Sequence, residues 1–506
     1  MFKFLVPFSI IVSVFWVSGC DHVDVNEPDE IIISQVGNKS ISKAEFIRRA
    51  EYTIRPKYAR ENYNVQKKII LNSLIAEKLF ALEAEGADYR ELREDDFLQA
   101  YLRGRQEQSM RQWLYAKDIY DHVPDDTVKI KNTFKNAGRK YKIAYVSFES
   151  PDQANLAAGK IFDEGVSFND LFNEDGSLTD VPQREVEWNW NEHEAIIESM
   201  FTQPLKKDQV VGPVYIDATH QILIKVLGWT DTPALTDEQI LNRWDDVRDR
   251  FRSFGAVKAY KTYIQEMMKG KELRFYPDTF YQLADALGPH YLQTPRQKED
   301  AMRDSYWGLN NGVTHETFDN DIEALDPYPL FKLNDEVWTV GRLREEVKSH
   351  PLVFRKQKMK NKEFGEQLQL AIIDLVRDKH LTAQAYERGY DKINVVQRNR
   401  RMWQDNFYAL YHRTRLLDAK NAVNDSSFAE NYLPLVEKYL NPYVQSLLEK
   451  YSDQVEINVD AFNSIKLLRT DLVALQSDAP YPIMVPGFPV LTTKHELDYG
   501  KKMEKR

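Results

Sequence analysis

Cysteine is almost missing from this chain: there is one in 506 residues, Cys20. No internal disulfide can form, so stability has to come from packing. Positive charge is in deficit, 68 Lys and Arg against 78 Asp and Glu, for a formal net charge of −10. That excludes a nucleic-acid partner, because phosphate contact needs clustered Lys and Arg. Long hydrophobic runs are scarce as well. The apolar stretch at 4–17 falls short of the roughly 20 residues that a spanning helix requires. There is no Gly-rich phosphate loop, residues 308–312 being a turn-rich linker, and no His-Glu-x-x-His spacing, His193 beside Glu194 reading as a solvated turn. Neither a metal nor a cofactor is expected.

The lone thiol has an informative position. Lys3 forms a small positive region, 4–17 an apolar core, and Ser18-Gly19 place a cleavage point directly before Cys20. This resembles a bacterial lipoprotein signal, with an ordinary signal peptide or a buried thiol as the alternative. The resemblance implies removal of 1–19 and acylation of Cys20, which bars it from nucleophilic catalysis. It also implies attachment to the inner or outer membrane on the periplasmic side of the envelope. Losing Lys3 takes the net charge from −10 to −11. The acidic segment 20–30 reads as a tether.

The remaining length suggests roughly three domains, and 42% hydrophobic residues suffice for their cores. Residues 31–42 read as a strand and turn. Around 64–84, apolar residues at 70, 71, 74, 75, 79 and 82 predict a helix with one buried face. Pro124-Asp125-Asp126 starts a new unit, in which 141–148 alternates as a strand, 151–164 is helical and 210–227 gives two strands around a turn. Thr236 with Gln239 forms a capping-box signature ahead of a long helix to about Met268. The second half echoes the first: Leu74, Lys78, Ala84 and Tyr89 match Leu375, Lys379, Ala385 and Tyr390 at an offset of 301. A second echo links Tyr263-Ile264-Gln265, Asp278 and Phe280 to Tyr443-Val444-Gln445, Asp460 and Phe462. Together they predict a duplicated helical core.

This layout, with the Leu-Ile-x-x-Lys-Leu-Phe-x-x-Glu-Ala pattern from Leu74 to Ala84, resembles the SurA/PrsA/PpiD group of exported foldases. The resemblance implies an α+β fold, mainly α, with one parvulin-like (PpiC-type) domain inserted in the first copy of a SurA-like core. The expected boundaries are a helical segment at 31–124, the parvulin-like domain at 125–232, and a returning helix and strand at 233–287. A linker at 288–330 leads to a second helical segment at 331–425, its returning helix and strand at 426–470, and a Pro-rich tail at 471–506.

Within the parvulin-like domain the resemblance fixes expectations residue by residue. Tyr145, in the strand 143–148, stands where the family has a histidine, and Gly165-Val166-Ser167-Phe168 matches its Gly-x-x-Phe turn. A glycine pair and Leu-Gly-aromatic turn expected before Trp188 are missing, while Gly212-Pro213-Val214 keeps a later element loosely. Gln221 takes the place of the last histidine, with His220 one residue early and usable only through a bulge, since a one-residue slip reverses the face. Tyr145, Gln221 and His220 are thus the catalytic candidates. Ile197, Met200 and Phe201 are candidates for a prolyl pocket or else core residues of a short helix. The aromatic groups Trp113/Tyr115, Phe407/Tyr408/Tyr411 and Tyr439/Tyr443 either cradle clients or pack in cores. The implied function is a lipid-anchored chaperone for unfolded or newly exported envelope proteins, with a weak or inactive isomerase domain. An active peptidyl-prolyl isomerase and a structural lipoprotein serving one dedicated partner are the alternatives.

Overall fold

The computed structural model describes residues 31–60, 63–87, 89–172, 181–189, 192–217, 220–292, 320–356, 359–422, 432–467 and 484–503. Cys20 and the tether lie outside them. The chain forms two compact bodies, residues 115–265 and the flanking segments on either side. The described residues are mainly helical, with three small sheets.

The larger body opens with a hairpin, β1 (Ile32–Val36) and β2 (Lys39–Ser42), turned at Gly37, whose φ of 58° suits glycine. Ser42 caps helix α1 (Lys43–Glu51) by accepting the Glu45 amide at 3.0 Å. Helices α2 (Tyr63–Gly86) and α3 (Asp96–Leu114) follow. In the smaller body come α4 (Thr127–Asn136), β3 (Arg139–Phe148), α5 (Pro151–Phe162), β4 (Gln183–Glu187) and α6 (Glu194–Phe201). A second hairpin, β5 (Val210–Asp217) and β6 (His220–Asp231), leads into the long helix α7 (Asp237–Met268). The chain then returns to the larger body with β7 (Leu273–Phe275) and α8 (Pro277–Tyr291).

From there the opening succession recurs. A hairpin, β8 (Pro329–Leu333) and β9 (Glu336–Thr339), precedes α9 (Val340–Ser349), capped by Thr339, and then the long helices α10 (Asn361–Glu387) and α11 (Asn394–Ala419). Helix α12 (Asn441–Lys450), β10 (Val455–Ile457), α13 (Val459–Ser464) and β11 (Lys501–Lys502) complete the body.

The closing strands are exchanged relative to the expected boundaries. β7, placed by sequence in the first core, pairs antiparallel with β8 (Leu273↔Leu333, Phe275↔Phe331). β10, placed in the second, pairs with β1 (Ser34↔Ile457, Val36↔Val455). Helices are traded likewise: α11 packs along α2, while α3 packs on α9, α10 and α11. A three-residue strand carries too little pattern to choose between two equally apolar hairpin edges. The body that contains the domain expected at 125–232 spans 115–265, because the following helix α7 packs onto it. Asp125 holds Arg252 of α7 through two bonds of 2.7 and 2.9 Å, and Phe134 of α4 meets Trp244 of α7 at 5.8 Å.

Helix α2 is buried on nearly all sides rather than one. Ser73, Glu77 and Lys78, which look like a solvent face in the sequence, are at most 1% exposed. Their burial is possible because partners neutralise them. Arg49 grips Glu77 at 3.0 and 2.8 Å, and Asn406 adds a bond to the same carboxylate at 2.7 Å. Lys78 reaches Glu45 at 2.9 Å and Asp405 at 3.1 Å, while Lys39 joins Asp405 and Glu85, each at 2.7 Å. Two of these pairs recur 301 residues on: Glu346 with Lys379, and His350 with Asp378 at 2.9 Å. Most of the flagged aromatics are packing groups. Tyr101 takes Phe407 edge-on at 5.4 Å, Phe80 takes Tyr443 at 5.3 Å, and Tyr115 meets Tyr260 at 5.4 Å.

Helices α3 and α9 touch backbone to backbone at Gly104. A Cβ there would lie 1.7 Å from the carbonyl oxygen of Ser349, an atom that cannot rotate away. Gly104→Ala is therefore expected to cost about 3 kcal/mol, at the upper end of overpacking. Urea denaturation followed by circular dichroism measures it, and an unchanged midpoint would contradict this close approach.

Candidate functional site

The candidate site lies on the sheet of the smaller body, ordered β4-β3-β6-β5 with all neighbours antiparallel. Alternation along β3 and β6 decides which face each side chain takes. Tyr145 is opposite Ile224, Ser147 opposite Ile222 and Phe148 opposite Gln221. Tyr145, Ile222 and Ile224 pack into the cluster under α6, while Phe148, Val146 and Leu223 pack with Ala157 and Ala158 of α5. Gln221 shares the parity of Leu223 and is fully buried. The two residues expected together on one floor, Tyr145 and Gln221, therefore stand on opposite faces.

His220 belongs to Tyr145's face because it has the parity of Ile222, and the irregularity in the β3–β6 pairing, opposite Lys142 and Ile143, falls at the far end of β6 between Gly228 and Val226. Its imidazole is exposed, and its Nε2 lies 3.4 Å from the Ser147 hydroxyl. That is the outer limit of a hydrogen bond and does not make an activated nucleophile.

Arg184 of β4, opposite Ile143, stands over the Tyr145 ring at 5.7 Å and closes a two-pronged pair on Glu192. Glu192 also accepts the backbone N–H of His193 at 3.1 Å, and His193 caps α6 by accepting the Ala195 amide on Nδ1 at 3.2 Å. That acceptor role fixes the His193 proton on Nε2. Beneath this loop Arg250 of α7, 1% exposed, donates to the carbonyls of Asn189 at 2.6 Å and Glu192 at 3.2 Å. Burial pulls its guanidinium down to about 10, against the pull of Asp246, Glu194 and Glu192. Trp188 lies under the same guanidinium at 5.0 Å and donates its indole N–H to Asp246.

Ile197, Met200 and Phe201 are each 0% exposed. Phe201 meets Tyr141 edge-on at 5.2 Å and Trp188 at 5.6 Å, so the protein's own core occupies the surface that a prolyl ring would need. What remains open on this face is a polar strip of Tyr145, Ser147, His220 and Arg184. It can hydrogen-bond an extended backbone, but among the described residues it has no open apolar floor to favour a twisted amide. Arg184 was legible in the sequence, since alternation puts it on the same side as the buried Val186. Arg250, from a helix 60 residues away, left no local signal.

Among the described residues, no group of three or more His, Cys, Asp and Glu is arranged to hold a metal, and no helix is long and apolar enough to cross a membrane. No protein family, curated protein or solved structure matches the chain.

Proposed function

We propose that this chain is a lipid-anchored chaperone of the bacterial envelope that shields apolar segments of newly exported proteins. The smaller body serves in it as a peptide-holding module with little or no isomerase activity. The observation that carries this reading is apolar surface left open at the start of α7. Leu235 is 80% exposed, Ile240 43% and Leu241 60%. Three large aliphatics exposed within seven residues mark an interaction surface better than a solvated helix end. Further support comes from the order of elements in the smaller body: strand, helix, Gly165-to-Phe168 turn and closing strand follow the parvulin pattern. The ion pairs repeated at an offset of 301 favour duplication of the helical core. The Cys20 signal supports the tether.

The test is protection of an unfolded outer-membrane protein against aggregation. At a one-to-one ratio the chain is expected to suppress light scattering, and Leu235→Glu with Leu241→Glu to abolish much of that effect. Scattering unchanged by the unaltered chain rejects the proposal.

A further inference from the structure

The start of α2 borders a cavity of about 340 Å³. Its lining includes three lysines, Lys67, Lys68 and Lys466, together with Asn64, Phe462 and Asn463, and among the described residues it holds no carboxylate. In a chain with an excess of acidic residues this is an unusual concentration of one sign. Lys68 and Lys466 are exposed, whereas Lys67 is 6% exposed. The Lys67 ammonium donates to the carbonyls of Ile465 at 2.8 Å and Asn463 at 3.3 Å and sits 4.5 Å from the Phe462 ring centre. An ammonium has three N–H groups, and contacts among the described residues use two of them, which leaves one for a ligand. Among the described residues no carboxylate pairs with any of the three lysines. Burial without a counter-charge pulls the Lys67 ammonium below its ordinary range.

Comparison of the two halves shows that helix packing does not require these lysines. At an offset of 301, Lys67 corresponds to Leu368, which is fully buried. At the offset of 182 that relates α13 to α8, Lys466 corresponds to Ala284, 8% exposed. Helix α8 continues for 15 residues where α13 stops after six. At the matching end of α10, Tyr291, Phe354 and Phe364 fill the space, with centroids 4.6 and 5.6 Å apart along the series. One half is thus greasy and closed where the other is cationic and open. The positive end of a 24-residue helix adds to the field there.

We infer that this cavity is an oxyanion site for a phosphate group, with Lys68 and Lys466 as its outer contacts and Lys67 as the buried cation behind them. The inference does not depend on chaperone activity. The same phosphate chemistry is offered by free phosphate compounds and by the headgroups of anionic lipids.

Inorganic phosphate, titrated into the full chain carrying Cys20→Ser at constant ionic strength, tests the site by calorimetry. Vesicles of phosphatidylglycerol and of phosphatidylcholine test the lipid source by co-sedimentation. Phosphate is expected to bind saturably, and Lys68→Glu with Lys466→Glu to weaken it at least about tenfold, the worth of a lost charge-assisted bond. Lys207→Glu, a control in the smaller body, should leave binding unchanged. Lys67→Leu, copying Leu368, is expected to keep the native circular dichroism spectrum and lose phosphate binding. Binding to phosphatidylglycerol vesicles alone, lost in the double variant and kept in the control, supports the site with a lipid headgroup as its ligand. The inference is overturned if neither form binds, or if the double variant binds like the control.

Discussion

Arg49→Met is expected to lower the stability of the larger body by about 3–5 kcal/mol, the usual cost of stranding one member of a buried ion pair. Arg49 and Glu77 are both 0% exposed and joined by two parallel bonds. Arg49 also donates to the carbonyl of Gly487 at 2.8 Å, which ties the C-terminal segment to α1. Removing the guanidinium leaves the Glu77 carboxylate, among the described residues, with the Asn406 amide as its hydrogen-bond donor. Combining Arg49→Met with Glu77→Leu should recover much of the loss, because two apolar side chains of similar volume escape the desolvation cost of the pair. Urea denaturation of the single and double variants measures both effects. A loss below about 1 kcal/mol for Arg49→Met, as for an exposed pair, would show that the network carries no weight.

The exchange of strands and helices leads to the second large effect. Cutting the chain between 292 and 320 should leave the fragment 320–506 without a cooperative unfolding transition. That fragment lacks β7, which pairs with β8, and it lacks α3, on which α9 and α10 pack. Its own β10 and α11 lose β1 and α2. Mixing with the fragment 31–292 should restore the transition. A sharp melting curve for 320–506 alone would mean that the second half closes its own core, as the sequence suggested.

Local signals in the sequence translated well. The reciprocal cap appears as drawn, with the Gln239 amide N–H donating to Thr236 Oγ1 at 3.2 Å and Gln239 Oε1 accepting the Thr236 N–H at 3.3 Å. The alternating run at 141–148 is a strand, and the apolar period at 70–82 is a helix. What stayed hidden depends on residues far apart. The burial of Glu77 and Lys78 on α2 rests on partners brought from Asn406 and Asp405, more than 300 residues away, so these polar positions read as a solvent face. The candidate site shows the same division. Tyr145 and His220 could be placed on their strands, but the separation of Tyr145 from Gln221 followed only once the β3–β6 register was known. The burial of Phe201 depends on its meeting Tyr141 and Trp188, which no spacing announces.

The pairing of β1 with β10 sets a timetable. Ser34 finds Glu456 across 422 residues, so the first of the described strands waits for nearly the last. At ribosomal rates of about 5–20 residues per second that delay is roughly 20–80 s. Throughout it the outer edge of the opening hairpin offers bare amides and carbonyls to any passing strand. During its own synthesis the protein is thus as vulnerable to mispairing as any nascent chain.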